Sequence, residues 1–522
     1  SATPTNGLEG EVAGILVAFE DPNSVGEGQT SVPGEDRVGS VDLTVDGKVT
    51  DDVHTVELSE AVTVTEAQQI ASELASDPAV AWAEPDQFVS SASEAVVSDL
   101  TANDQEYATR QWNLWDTYGL NAGDGSEDFA REYLQATGEG VNVAVIDTGI
   151  VGHPDLDEQL VAGFDFVSSP DNLAGQRVAD QGEAAFDADY VDTGRFGAIG
   201  WDDNPTDPGD WSQVTPTRQS TWHGTHVAGI IAAATGNTEG VVGIAPQAKV
   251  QPIRALSWRG GLISDVAAAI TWASGGHVDG VADNPEPSRV INMSFAMNGQ
   301  CTRALQASIN DAIERGSVLV AAAGNADDDV ANYAPANCEG VISVGATGRD
   351  GKRAPYSNYG TGVDVSAPGG NGTADGGVVS TSNAGTEAAA EPTYTGREGT
   401  SVAAAHVAGI AARLLSTTPE LTPADVTTAI IGRASVRAFA DDVCDEDPLK
   451  TCGTGIVQIA ALDGVAGVEM NLIVNDDRIA DGSTVAAGET VTVGSSALLT
   501  PGVGNRTLQT TLDEGTVLAA ES

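Results

Sequence analysis

Between Gly140 and Ala460 this 522-residue chain predicts an α/β fold, a parallel sheet with helices on both faces. Five short apolar runs, VNVAVI, KVQPIRAL, RVINMSF, SVLVAAAG and GVISVGAT, have the length and β-branched content of strands buried on both sides. Among them Ile263–Ser274, Arg303–Arg315 and Ser401–Ser416 carry apolar residues at helical spacing. Asp147 closes the first run and Asn325 follows the fourth, at the carboxyl ends where such sheets hold their ligands.

The flanks have another character. In the first hundred or so residues GILVAFED reads as a strand, VDGK (Val45 to Lys48) as a hairpin turn, EAQQIASELASDP as a helix and VAWAEPD as a returning strand, a small α+β unit. Asp21 to Arg37 is rich in Gly, Pro and Ser and has no helical period. From Val89 to Thr101 the composition turns to Ser, Ala and Val with scattered acids, which suits an exposed linker. After about Gly467, NLIVN, STVAAGETVTVG and TLDEGTVLAA read as a few strands, too few for an independent sandwich. The expected units are therefore 1–101, 102–467 and a β-rich extension, 468–522.

Composition narrows the class. With 41% hydrophobic residues the chain can build at least one large core. No apolar run approaches the 18 or so residues that cross a bilayer. The first residue is Ser, and we expect that a signal peptide has been removed. Seventy-six acidic against 23 basic residues give a net charge of −53, which argues against nucleic acid as a partner. Only Lys48, Lys249, Lys352 and Lys450 are lysines, so arginine carries most positive charge. Such a surplus repels itself in dilute salt and is screened in concentrated salt, which reads as adaptation to high salt. Its alternative is an acidic secreted protein kept soluble by charge. Four cysteines form two locally plausible pairs, Cys301 with Cys338 and Cys444 with Cys452, although sequence does not prove the connectivity. No CxxC spacing or histidine partner points to zinc.

Three distant segments carry chemistry: VIDTGIVGHPDL (Val145 to Leu156), HGTHVAG (His223 to Gly229) and GTSVAAAHVAG (Gly399 to Gly409). They supply an acid, a base and a hydroxyl. Such a set lets Asp147 orient His223, His223 take a proton from Ser401, and Ser401 attack an acyl carbon. Ser401 also begins a helix, whose N-terminus offers amide donors and positive potential to a developing oxyanion.

The order Asp, His, Ser and the residues around each resemble the subtilisin family of secreted serine endopeptidases, over about Gln111 to Ala460. The likeness is closest to a bacterial extracellular branch that reads DPGDW ahead of HGTH, as Asp207 to Trp211 do here. The resemblance implies that His223 is the base, while His226 packs in the following helix and His406 is structural. It implies Asn325 as the side-chain donor of an oxyanion hole, beside the N–H of Ser401. Val402 and Ala405 stand where the family usually has Met and Pro, and neither change removes a proton-transfer group. His54, His153 and His277 are read as ordinary positions.

Substrate in the family runs along a Ser-Leu-Gly-Gly strand, matched here by Ser294, Phe295, Ala296 and Met297, and Ala323 and Gly324 are also read as substrate-binding. Side chains in place of both glycines suggest a narrowed cleft that fits large residues poorly, and a preference for large aromatic residues there would contradict this. The acidic run Asp327 to Asp329 reads as a solvated loop. The N-terminal unit resembles the family's inhibitory propeptide, ending in an acidic-proline turn at Glu84 to Asp86. That family has a helix between the first two strands, which Asp21 to Arg37 does not predict. Self-cleavage is expected in the linker or just after it. Asp155 and Asn237 match positions of a structural calcium, and Asp202, Asp203 and Asp207 form a weaker second acidic cluster. The expectation is a secreted, monomeric endopeptidase acting on proteins and peptides, with its own propeptide as inhibitor. A catalytically silent adhesion protein on the same fold is the alternative, and a processing protease with one dedicated substrate a third reading.

Overall fold

Seven parallel strands form the centre of the molecule in the computed structural model: β7 (Asn142–Asp147), β8 (Phe164–Asp165), β9 (Lys249–Arg254), β11 (Val290–Met293), β13 (Val318–Ala322), β15 (Val341–Thr347) and β16 (Val365–Pro368). Their spatial order is β16-β15-β13-β11-β7-β9-β8. The structure describes residues 11–20, 32–33, 43–49, 53–86, 88–91, 96–100, 110–115, 118–120, 136–168, 201–211, 219–235, 237, 240–257, 260–371, 377–434, 438–440, 444, 450–459 and, near the C-terminus, the strands 472–474, 477–479, 491–493, 508–512 and 516–520.

Burial explains why these strands lack polar alternation. Successive residues of β7 enter opposite cores: Val143 and Val145 one, Ala144 and Ile146 the other. In the same way β13 sends Val318, Val320 and Ala322 to the first core and Leu319 and Ala321 to the second. Each face is covered by helices. The first packs α2 (His223–Ala232), α5 (Thr400–Thr417) and α6 (Pro423–Ala434), and the second packs α3 (Ile263–Ala273) and α4 (Arg303–Glu314). The sequence predicts α3, α4 and α5 within one or two residues. The expected elements do not include α6, or the antiparallel pair β17 (Val378–Asn383) and β18 (Pro392–Arg397) that leads into α5.

The N-terminal unit is an antiparallel sheet, ordered β2-β3-β1-β4, of β1 (Glu11–Phe19), β2 (Leu43–Lys48), β3 (Val53–Thr63) and β4 (Val80–Pro85). It carries α1 (Val64–Leu74), which starts at a capping box of Thr63 and Glu66. One face of the sheet packs Ile15, Val17, Val56 and Leu58 under Ile70 and Leu74 of α1. The other lies on the central domain, where Leu16, Val49 and Val53 join Ala304, Leu305 and Ile309 in one core. VDGK is not the turn that its sequence suggests. Val45 pairs with Val56 and Lys48 with His54, so the strand runs through, and a bulge between Val45 and Gly47 absorbs the extra residue. The reversal comes after Lys48, closed by the Val49 N–H on the Val53 carbonyl at 2.8 Å. Most of Asp21 to Arg37 lies outside the described residues.

The segment whose composition suits an exposed linker instead pairs with the central domain. β5 (Phe88–Ser91) runs antiparallel between β10 (Gly261–Leu262) and β12 (Phe295–Asn298), and β12 pairs in turn with β14 (Tyr333–Ala334). β6 (Val96–Leu100) runs antiparallel to β18. Near the C-terminus Leu472–Val474 pairs with Asp477–Ile479 and Val491–Val493, and Leu508–Leu512 with Thr516–Ala520. Disulfides join Cys301 to Cys338 and Cys444 to Cys452.

Candidate active site

From β7 the chain winds outward to β9 on one side, whereas from its other neighbour β11 it winds to β13, β15 and β16. The carboxyl ends of β7 and β11 therefore flank a topological switch point, where an open parallel sheet leaves a crevice. Asp147 ends β7 and Ser294 directly follows β11.

His223 enters from α2, whose first residue it is. The N-cap before it, Trp222, is held in the left-handed region at φ 53°, an uncommon conformation for a bulky residue. Gly224 allows the helix to approach β7 closely, since a Cβ there would meet the Gly149 carbonyl oxygen at 2.2 Å. His223 Nδ1 and Asp147 Oδ1 are 2.6 Å apart, and both side chains are buried. An ionised carboxylate only accepts, so Nδ1 carries the proton and Nε2 of the neutral ring is left as the acceptor. The Thr148 N–H donates to the same Asp147 oxygen at 2.7 Å.

Ser401 sits in the first turn of α5, after Gly399 as N-cap. Its carbonyl accepts from Ser294 Oγ at 2.9 Å, and Ser294 Oγ accepts from Asn292 Nδ2 at 2.9 Å, which ties α5 to the end of β11. Asn325 Oδ1 accepts from the Thr400 N–H at 2.9 Å and its hydroxyl at 2.8 Å, and that hydroxyl accepts from the Gly324 N–H at 3.0 Å. Ala323 is buried, with its carbonyl accepting from Asn358 Nδ2 at 2.8 Å. Arg397, four residues before Ser401, donates to the carbonyl of Thr221, two before His223. The structure thus brings the Asp147–His223 pair, the start of α5 and the Asn325 amide to one end of the sheet. An acid–base pair beside a hydroxyl at a helix N-terminus can generate an alkoxide-like nucleophile and hold an oxyanion.

The N-terminal segment pairs with strands next to this site. Val89 pairs with Gly261, Ser90 with Ala296 and Ser91 with Phe295, and beyond it Val96 pairs with Arg397 and Val97 with Gly396. The chain approaches along β12 and leaves along the strand that leads to Ser401. Residues 92–95 lie outside the described residues. Of the two side chains that stand for glycine, Met297 turns into the core with Phe295, and only half-buried Ala296 lies on the opposite side of the strand, as a period of two requires. The narrowing expected from Met297 is therefore absent.

Other expected positions resolve into structural roles. Buried His226 bonds to the Thr395 carbonyl through Nε2 at 2.9 Å. His406 bonds to the Val402 carbonyl through Nδ1 at 2.8 Å and to Asn113 through Nε2 at 2.9 Å, and burial pushes its pKa down to about 4. In the Asp327–Asp329 loop Asp327 pairs with Arg353 at 2.8 Å, Asp328 accepts from Tyr333 at 3.3 Å, and Asp329 caps the turn Val330–Asn332. These acids fold the loop as well as solvating it.

Asp155 and Asn237 are neighbours. The Asn237 amide and Asp155 Oδ1 are 2.5 Å apart, while Oδ2 accepts from the Val241 N–H and the Tyr394 hydroxyl, each at 3.0 Å. Burial raises the Asp155 pKa, opposed by these donors. The second acidic cluster is not assembled: Asp203 is exposed, Asp202 caps Asn204 through its backbone N–H, and Asp207 is buried against Thr148. Among the described residues no group of three His, Cys, Asp or Glu could hold a metal ion.

A model of the subtilase family matches residues 138–455. An extracellular protease of Xanthomonas campestris is 40% identical over 413 residues, covering 78% of this chain and 63% of its own. An extracellular basic protease of Dichelobacter nodosus is 37% identical, covering 72% of this chain and 58% of its own. The chain therefore spans less than two thirds of the length of these two relatives. Among solved structures, a protease from Pseudoalteromonas arctica matches with a TM-score of 0.59 and 39% identity, over 69% of this chain and 98% of that one.

Proposed function

The chain belongs to the subtilase family, a family of serine proteases, and from that premise we propose that it is a secreted serine endopeptidase made as a zymogen. The observation that carries this is the buried 2.6 Å pair of His223 and Asp147 beside the start of the helix that bears Ser401. In this reading Ser401 Oγ attacks the peptide carbonyl carbon as its proton passes to His223 Nε2. The carbonyl oxygen gathers the negative charge and is held by the Asn325 amide and the Ser401 N–H. His223 then returns the proton to the leaving amine, and a water repeats the sequence to release the acyl group. Ser294 to Met297, with Ala323 and Gly324, line the substrate strand.

Residues 1–101 act as propeptide, 102–467 as the peptidase and 468–522 as an extension. Support for the first comes from how the N-terminal unit docks. Glu84 accepts from the Arg303 and Ala304 N–H groups, each at 2.8 Å, at the start of α4, and Asp86 accepts from the Ser264 N–H at 2.9 Å and its hydroxyl at the start of α3. Two acids on one turn thus accept from the free N–H groups that open two helices. The pairing of β5 with β12 and of β6 with β18 brackets the bonds from Ser91 to Val96 and favours a first cut there, inside the 1–101 unit, whose last residues then stay with the peptidase. The test is N-terminal sequencing of the purified chain after incubation. The wild type should yield a new N-terminus between residues 92 and 96, and Ser401→Ala should remain one chain. An uncut wild type, or equal cutting in the variant, would refute the reading.

A structural calcium belongs to the same proposal. The Asn237 amide nitrogen donates to the Asp155 carboxylate, so the amide would turn over to offer its oxygen beside it, and calcium cages draw further ligands from backbone carbonyls. Bound there, the ion would cross-link the two segments and raise stability. A chelator should then lower the Tm. No change with chelator would leave Asp155 satisfied by its protein donors alone.

A further inference from the structure

Asp207 and Asp210 lie three residues apart and are almost wholly enclosed, 1% and 2% exposed. Neither binds substrate in the reading above, yet each grips a residue within two positions of the acid–base pair. Asp207 Oδ2 accepts from the Thr148 hydroxyl at 2.7 Å, and its Oδ1 accepts from the Gly209 N–H at 2.8 Å. Thr148 directly follows Asp147. Its hydroxyl accepts from the Gly224 N–H at 3.1 Å, and its own N–H donates to Asp147 Oδ1 at 2.7 Å. One threonine thus touches both the carboxylate of Asp147 and the residue after His223. Asp210 works from the other side, taking the Thr221 N–H and, at 2.9 Å, the Thr221 hydroxyl. Between Thr221 and His223 stands only Trp222, buried and left-handed, with its indole N–H on the Gly385 carbonyl at 2.7 Å. A left-handed bulky residue persists only where its surroundings over-determine it.

Backbone contacts hold the acidic segment in place. The Ile150 N–H donates to the Pro205 carbonyl at 3.0 Å and the Asp207 N–H to the Ile150 carbonyl at 2.9 Å. Gly209, at φ 103°, has no room for a side chain, since a Cβ would meet the Glu387 carbonyl oxygen at 2.2 Å.

We propose that Asp207 and Asp210 form a clamp of positioning residues which, through Thr148 and Thr221, sets the separation and orientation of Asp147 and His223. The inference rests on the reading of those two residues as acid and base. A displacement of about 1 Å at such a pair can cost about 10²-fold in rate, so two carboxylates on one rigid turn are a sufficient device.

Thr148→Val keeps the shape of the side chain and removes the hydroxyl that links Asp207 to Gly224, while Thr148→Ser keeps it. Steady-state kinetics on a soluble peptide substrate should show kcat of Thr148→Val falling about 10²-fold with KM within about threefold, and Thr148→Ser within about threefold of wild type. Asp207→Asn and Thr221→Val should lower kcat in the same direction, with thermal melting measured to confirm the folded state. Full kcat in folded Thr148→Val and Thr221→Val would overturn the clamp. Loss in Thr148→Ser equal to that in Thr148→Val would overturn it too, because packing rather than the hydroxyl would then be responsible. His223→Ala separates the two ideas: if it stays active, the acid–base reading itself is wrong, and if it is dead while Thr148→Val is active, only the clamp is.

Discussion

At Asn325 the amide oxygen decides the chemistry open to the nitrogen. Both donors on Thr400 converge on Oδ1, one of them a backbone N–H that cannot accept, so the amide is fixed with its NH2 directed elsewhere. A side chain already oriented costs no reorganisation when charge develops on a substrate oxygen. Asn325→Ala should therefore lower kcat by about 10²–10³, with KM changed far less, in steady-state assays. A loss below about fivefold would remove Asn325 from the oxyanion role. That Asp147 ends a strand and Ser401 opens a helix was legible, because both follow from local apolar patterns. The parts played by Thr148 and Thr221 were not. A threonine hydroxyl gains its role from the acceptor it meets, and Asp207 lies 59 residues along the chain from Thr148. Met297 shows the same limit, since a glycine replacement narrows a cleft only if the strand's period turns it outward.

Elements buried on both sides were the easiest to read, because β13 is apolar throughout, β7 is apolar between its end residues, β15 is broken only by Ser343 before its final Thr347, and α3 to α5 carry a regular helical repeat. Segments that pair outside the main sheet gave weaker signals. β5 and β6 are rich in Ser and Val and owe their strand form to the edges of β12 and β18, which no local pattern reveals. Glu84 to Asp86 marks the joint between the two units. Burial pushes the Asp86 carboxyl up to about 6, against the pull of its bonds to Ser264, and Glu84 adds to the rise. Once the N-terminal unit separates, Asp86 returns to solvent and to an ordinary value near 3.8. A carboxyl with its higher pKa in the docked state favours docking when protonated, so docking weakens as pH rises from about 4 through about 6 and is level above that. A peptide of residues 1–91 should bind the processed enzyme about 10²-fold less tightly at pH 7 than at pH 4, and Asp86→Asn should remove that dependence. Calorimetric titration of binding, which needs no turnover at pH 4, would decide it. An unchanged slope in the variant would assign the proton to another group.

For the whole molecule the surplus of 53 negative charges dominates the response to ions. Two like charges 10 Å apart in water repel by about 0.4 kcal/mol unscreened, and this surplus repeats that term over many neighbours. With 23 basic residues against 76 acidic ones, most acids have no cation to pair with. A solvent-accessible ion pair such as Arg315 with Asp311 contributes about 0–1 kcal/mol, and Arg353 pairs with Asp327 from a mostly buried position. The buried pair of Arg254 with Asp165 is shielded from solvent ions and responds little. Raising ionic strength from 0.1 M to 1 M shortens the screening length from about 10 Å to about 3 Å, which removes most of the repulsion and little of the attraction. Stability should therefore rise with salt. We expect the Tm to increase steadily from 0.1 M to 2 M NaCl, to do so equally in KCl, and peptidase activity to be retained or to increase over that range. Calorimetry in both salts is the measurement. A flat or falling Tm would mean that the acidic surface serves solubility alone, while different slopes in the two salts would point to a specific ion site rather than to screening.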